Sequence, residues 1–281
     1  MGRLCQVKHD TFDKYPADSL DLSTQALLTT WDCLPDFRDV LVLVGGLAVR
    51  FLTKPPVEGQ PGPVTLDVDF GVSIAAEGGA YPGIRENLSG HGFIWANGRF
   101  TRKFPTLELH IDLLTDDDHS DKGTATLDDG LSVEIFPGIN RALACYRPVP
   151  VTGETLLGSP LTETIKVAEI GPLLVLKLNA FGGPRGRKAP KDAHDILYLA
   201  ENYLGGIRAA VAGFQAERQA ANRGIRHAER CLAEYFGNPD AQGPMACAAF
   251  RLNNQHLEPQ NEEVSQRIRQ QCVTLAKALL T

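Results

Sequence analysis

Residues 64–73 read VTLDVDFGVS, and their alternation is strict. Leu66, Val68, Phe70 and Val72 fall on one face of an extended segment, with Thr65, Asp67, Asp69, Gly71 and Ser73 on the other. A period of two predicts a half-buried strand. Aspartate is depleted in strands, and like charges two residues apart on one face repel, so the pair calls for a compensating cause. Both carboxylates can point into one volume of space, where a cation would join them. Oxygen-only ligation of that kind suits Mg²⁺ or Mn²⁺. A solvent-facing strand with two surface aspartates has the same pattern.

The neighbouring segments sharpen the question. Upstream, DVLVLVGGLAVRFL (39–52) is a short apolar run that ends in Gly45 and Gly46 and passes into a helical pattern. It reads as a buried strand, a tight turn and a helix start, where exposed N–H groups and the helix dipole suit a phosphate. TKPPVEGQPGP (53–63) is a Pro/Gly-rich loop leading into the aspartate strand. Downstream, TLELHIDLL (106–114) alternates again, with Leu107, Leu109, Ile111 and Leu113 inward and Glu108, His110 and Asp112 on the polar face. Asp112 is the candidate third ligand. Three carboxylates fit two metal ions about 3.5–4 Å apart, an arrangement that activates an attacking oxygen and stabilises leaving pyrophosphate.

Elsewhere, LSTQALLTTWDCL (22–34) has helical spacing closed by Pro35. Residues 77–105 mix turns with a short helix, TDDDHSDKGTATLDDG (115–130) reads as a solvated connection, and LSVEIF (131–136) as a strand. The character changes near 148–160: IKVAEI (165–170) is a short strand, GPLLVLKLNAF (171–181) an apolar helix, and GGPRGRKAPKDAHDILYLAENYL (182–204) a basic loop running into a helix. The remainder is helix-rich and polar, without a repeat. The expected fold class is α+β: a small mixed sheet with flanking helices over 1–160 and a mostly helical domain over 161–281 that closes a cleft.

The totals bound the function. The chain has 281 residues, 43% hydrophobic and 22% charged, with no apolar run near the ~20 residues of a membrane helix. No secretory pattern opens the sequence, so the expectation is cytoplasmic, with no membrane partner. Six cysteines stand far apart without a CxxC, which argues for ordinary thiols over zinc or disulfides. A net charge of −6 gives no global sign of nucleic-acid binding. Two local basic clusters do flank the carboxylates, Arg99, Arg102 and Lys103 on one side and Arg185, Arg187, Lys188 and Lys191 on the other. Both fit a triphosphate or an RNA backbone, and both equally fit solvated loops. Arg223, Arg226 and Arg230 share a helix face interrupted by Glu229 and read as solvated.

With VGGLAVRF, TLDVDF and LHIDLL in this order, the sequence resembles the nucleotidyltransferase superfamily with the polymerase-beta-like fold, in particular the bacterial AbiEii/MenT-type toxins of toxin–antitoxin systems. LLVLKLNAF followed by RKAPKDAHDILYL is similar to that branch's helix lysine and its R/K-D-x-x-D-(I/L) segment. The resemblance covers roughly residues 40–200. It implies that Gly45 and Gly46 hold nucleotide phosphates, that Asp67, Asp69 and Asp112 bind Mg²⁺ or Mn²⁺, and that Asp112 activates the acceptor hydroxyl. Lys177 and Asp195 would line the far wall of the cleft, with Asp192 as the alternative to Asp195. The substrate would be an NTP, the acceptor a tRNA 3′ end, a protein side chain or a small molecule, and a cognate antitoxin a further partner. One departure stands out: twenty residues separate Gly46 from Asp67, more than the dozen or so the resemblance implies. A DxD glycosyltransferase and a catalytically silent nucleotide- or protein-binding module are the rival expectations. A Walker A loop is excluded, since GGPRGRK lacks GxxxxGK[ST].

Overall fold

The aspartate strand lies inside a mixed sheet, and its neighbours on both sides come from the segments that the sequence singles out. The structure is a computed structural model that describes residues 9–15, 18–57, 61–65, 67–72, 83–104, 108–127 and 130–281. Leu66, Ser73 and Leu107 of the expected strands, and Cys5, lie outside the described residues.

Regular structure begins with α1 (Ser19–Asp32), which ends three residues before Pro35. Then follow β1 (Leu41–Val44), α2 (Gly45–Leu52), β2 (Asp67–Val72), α3 (Ile84–Gly90), and a hairpin of β3 (Ile94–Ala96) and β4 (Arg99–Lys103). After these come β5 (Glu108–Thr115), β6 (Thr124–Thr126), β7 (Ser132–Ile135), α4 (Ile139–Ala144), β8 (Tyr146–Glu154) and β9 (Pro160–Ala168). The sheet order is β3-β4-β5-β2-β1-β9-β8, with β7 pairing to β5 and β6 to β7. β2 is antiparallel to β1 and parallel to β5, so the α+β class holds with a mixed sheet. All four residues of β1 are buried, which explains why its sequence is a continuous apolar run.

The alternation of β2 holds for Asp67 to Phe70 and breaks at Gly71, which is buried. Helix α4 is the cause: a Cβ at Gly71 would come within 3.0 Å of Ile139 and 2.9 Å of Val42. One end of the polar face is therefore fully covered, and the aspartate end stays partly exposed. On the apolar face, Phe70 meets Trp31 of α1 with ring centroids 5.9 Å apart, both side chains fully buried. Burial on that scale contributes about 1.5–3 kcal/mol per side chain.

The helical part contains α5 (Ile170–Gly182), α6 (Pro190–Asn202), α7 (Ile207–Gln219), α8 (Ile225–Tyr235), α9 (Gln242–Arg251) and α10 (Glu262–Leu280). Proline opens α6 at its first turn, where its missing N–H costs nothing. Contacts divide the chain into two units, one of Ala17–Phe51 with Thr65–Glu169 and one of Met1–Pro16, Leu52–Val64 and Ile170–Thr281. The long spacing between Gly46 and Asp67 thereby finds its place. Helix α2 is only eight residues long, and the loop after it belongs to the helical unit. There Lys54 N–H donates to Asn202 O at 2.9 Å, Tyr198 Oη–H donates to Lys54 O at 3.1 Å, and His194 Nε2–H donates to Gly62 O at 2.9 Å.

Of the five described cysteines all are free thiols, and all but Cys145 are buried. Among the described residues no helix is long and apolar enough to cross a membrane.

Candidate functional site

In the sheet unit, backbone register brings the expected acids together. Asp69 of β2 pairs with Val44 of β1 on one side and with Asp112 of β5 on the other, and Asp67 pairs with His110. Residues in register on adjacent strands, about 4.8 Å apart, project to the same face. Gly45, directly after Val44, has φ +72° and opens α2, and a Cβ there would overlap the Asp69 carboxylate. Only glycine lets the turn approach that side chain. Gly46 follows as the buried second residue of the helix.

Arg99 enters the same face from β4. Its Nη2–H donates to Asp112 Oδ2 at 2.7 Å and lies 3.6 Å from Asp67 Oδ1. The other members of the first basic cluster go elsewhere. Arg102 pairs with Leu109 on the opposite face and stacks over Phe104 and Phe93, with centroid distances of 4.6 and 5.8 Å. Lys103 is exposed, 3.8 Å from Glu108. Strand alternation turns Arg102 away from Arg99, while Lys103 shares the face of Arg99 but lies four residues farther along β4, in solvent.

A fourth acid, Glu134 of β7, joins this face because it pairs with Leu114, two residues after Asp112. Its signal in the sequence was LSVEIF, where Val133 and Ile135 point inward and leave Glu134 on the polar side. Burial, then the neighbouring Asp69, push the Asp112 carboxyl up to about 7 from a usual 3.8; Arg99 opposes the shift, and Asp67 and Glu134 add to it. Burial and Arg99 lower the His110 imidazole. His110 Nδ1 sits 3.2 Å from Thr101 Oγ1, which makes it a neighbour of the carboxylates and not one of their number.

Among the described residues no three His, Cys, Asp or Glu side chains converge closely enough to enclose a metal ion as they stand. The place between Asp67 and Asp112 is held by the Arg99 guanidinium. The donor set is nonetheless all oxygen, and burial together with the neighbouring acids raises the Asp112 carboxyl, so the face suits a hard divalent cation.

Lys177, Lys191 and Asp195 form a separate cluster within the helical unit. Lys177 Nζ of α5 and Lys191 Nζ of α6 both donate to Asp195 Oδ2, at 2.6 and 2.7 Å, and all three side chains are buried. Burial would raise the Asp195 carboxyl, but the two ammonium groups reverse this and hold it at about 2. Burial alone would lower Lys191, and Asp195 turns that into a rise. Asp192 pairs with Arg187 at 3.3 Å, and Lys188 stacks on Tyr235 at 4.4 Å, so much of the second basic cluster is engaged locally. His194, which no motif in the sequence marks, is fully buried: its Nδ1 accepts from Arg251 Nε–H at 3.1 Å, which leaves the ring proton on Nε2 for Gly62.

No known family model matches the chain, and no curated protein matches it. The nucleotidyltransferase resemblance therefore rests on the motifs and on their arrangement.

Proposed function

We propose that the chain is a nucleotidyltransferase that moves a nucleoside monophosphate from an NTP to an acceptor hydroxyl. The observation that carries this reading is the in-register pair Asp69 and Asp112 beside the glycine turn that opens α2. Asp67, Asp69 and Asp112 would hold Mg²⁺ or Mn²⁺, which when bound neutralises triphosphate charge. Gly45 and Gly46 offer backbone N–H groups and open space to the phosphates. Arg99 compensates the carboxylates without substrate and presents a guanidinium fork to phosphate oxygens with it.

In the reaction, the acceptor oxygen forms a bond to the α-phosphorus as the bond to the bridging oxygen breaks. Pyrophosphate leaves, and the hydroxyl proton passes to a carboxylate of the face, for which Asp112 is the assigned group. Catalysis is then mostly positioning and charge stabilisation. Lys177, Lys191 and Asp195 brace α5 against α6. The acceptor is a tRNA 3′ end, a protein side chain or a small molecule, the compartment is the cytoplasm, and an antitoxin is the partner that the resemblance suggests.

A second reading, a nucleotide-binding module without turnover, is favoured by one observation: Arg99 already bridges Asp112 and Asp67. Incubation with each radiolabelled NTP, Mg²⁺ and total tRNA decides between them. The transferase reading expects labelled RNA from the wild type and a loss of about 10²-fold or more in Asp69→Asn. Transfer that persists in Asp69→Asn contradicts the assignment of the carboxylates, and nucleotide binding without transfer to any acceptor favours the module.

A further inference from the structure

Away from the carboxylates, the helical unit contains a cleft of about 610 Å³ between α7 and α10, with Leu197 of α6 among its lining residues. That volume falls within the range of small-molecule sites, about 300–1,000 Å³. The cleft has polarity. At one end Gln215 Nε2–H donates to Ala278 O at 3.1 Å, and Arg218 Nη2–H donates to Leu279 O at 2.8 Å. These bonds tie the last turns of the two helices together and close that end. Along its own helix Arg208 lies about 10 Å from Gln215, and Arg267 about 16 Å from Ala278, in each case toward the N-terminal end.

Val211, Leu275 and Ala278 make the lining near the tie mostly apolar, and the exposed Arg208 and Arg267 line the cleft farther along the two helices. Among the described residues neither Arg208 nor Arg267 has a carboxylate partner. The single acid of the lining, Glu201, is answered by Arg251 at 3.5 Å. In a chain of net charge −6, two guanidinium groups without a carboxylate partner among the described residues, lining a mostly apolar cleft, are complementary to one kind of occupant. We propose that this cleft binds a small anionic amphiphile, its apolar chain directed toward the Gln215–Ala278 tie and its carboxylate or phosphate head between Arg208 and Arg267. A partner helix is a poorer fit, because it is 10–12 Å across and would have to run past the closed end.

Decanoate, kept below its micelle-forming concentration, is the probe, with decanol and decyltrimethylammonium as equal-length controls, followed by thermal shift and calorimetry on the full chain. Saturable binding of decanoate over both controls is expected, since a ligand that favours the native state raises its melting temperature. Arg208→Glu/Arg267→Glu is expected to weaken it about tenfold or more through charge alone. Val211→Trp, which fills the wall and leaves both charges, is expected to abolish it, with circular dichroism confirming that each variant folds. The proposal is overturned if decanoate fails to bind, if the three probes bind alike, or if both variants bind decanoate as the wild type does. It is equally overturned if an acidic amphipathic peptide binds the cleft and decanoate does not displace it. Every one of these readouts is independent of nucleotide transfer.

Discussion

Gly45 combines a left-handed backbone, which strains a side chain, with an approach to the Asp69 carboxylate that leaves no room for one. Gly45→Ala is expected to destabilise the sheet unit by about 1–3 kcal/mol in urea unfolding and to remove nucleotide binding. Adding Asp69→Ala removes the overlap, so stability is expected to recover in part while binding stays lost; full stability in the single variant would contradict the contact. His194 carries a different expectation. Burial, then Arg251, hold its imidazole down at about 3 against a usual 6.5. The unfolded chain therefore binds a proton below about 6.5 that the folded chain refuses until about 3, and stability falls as pH drops through that window. The slope approaches about 1.4 kcal/mol per pH unit for this one proton. Asp195, held at about 2, adds a loss of the same sign at the acid end. Urea midpoints between pH 7 and pH 4 check this, with His194→Gln expected to flatten the profile and an unchanged profile counting against a buried neutral ring. The paired aspartates and the glycine turn were legible because each departs from what a strand or helix ordinarily contains. His194 was not, since a histidine in the run KDAHDILYL carries no sign of which carbonyl and which guanidinium will meet it.

Among the elements, strands with clean alternation were legible and prolines misled. Strand β8, YRPVPVTGE, has prolines at 148 and 150 and reads as a breakpoint, yet it pairs along its full length with β9. It lies at the end of the sheet order, where a missing N–H on the open side is tolerated. The β3–β4 hairpin was hidden for a related reason: its turn, Asn97-Gly98, has positive φ at both residues, but only short, mixed strands flank it. Helices α5 and α6 depend on the buried Lys177–Asp195–Lys191 cluster. Removing the shared acceptor leaves two ammonium groups in the core, so Asp195→Ala is expected to cost about 3–5 kcal/mol. Replacing all three by apolar residues of similar volume is expected to cost far less. If Asp195→Ala were neutral by chemical denaturation, the cluster would not be bracing the helices.

Across the whole chain, the α+β class and the helical second half were readable, because alternating segments dominate up to about residue 160 and segments of helical spacing after it. The assignment of residues 52–64 to the helical unit was unreadable, since a Pro/Gly-rich loop does not announce which backbone groups will satisfy its own. The same holds for the candidate site: three acids could be named from two strands, while the place of Arg99 between them and of Glu134 beside them came only with strand register. In the proposed reaction these carboxylates take up a divalent cation together with a nucleotide, displacing Arg99 from its bridge. Free Mn²⁺ measured by electron paramagnetic resonance, with a non-hydrolysable NTP analogue present, tests it most directly. Saturable uptake of Mn²⁺ is expected for the wild type and none for Asp67→Asn/Asp69→Asn; no uptake by the wild type, or equal uptake by both, would rule out a shared metal site on these carboxylates.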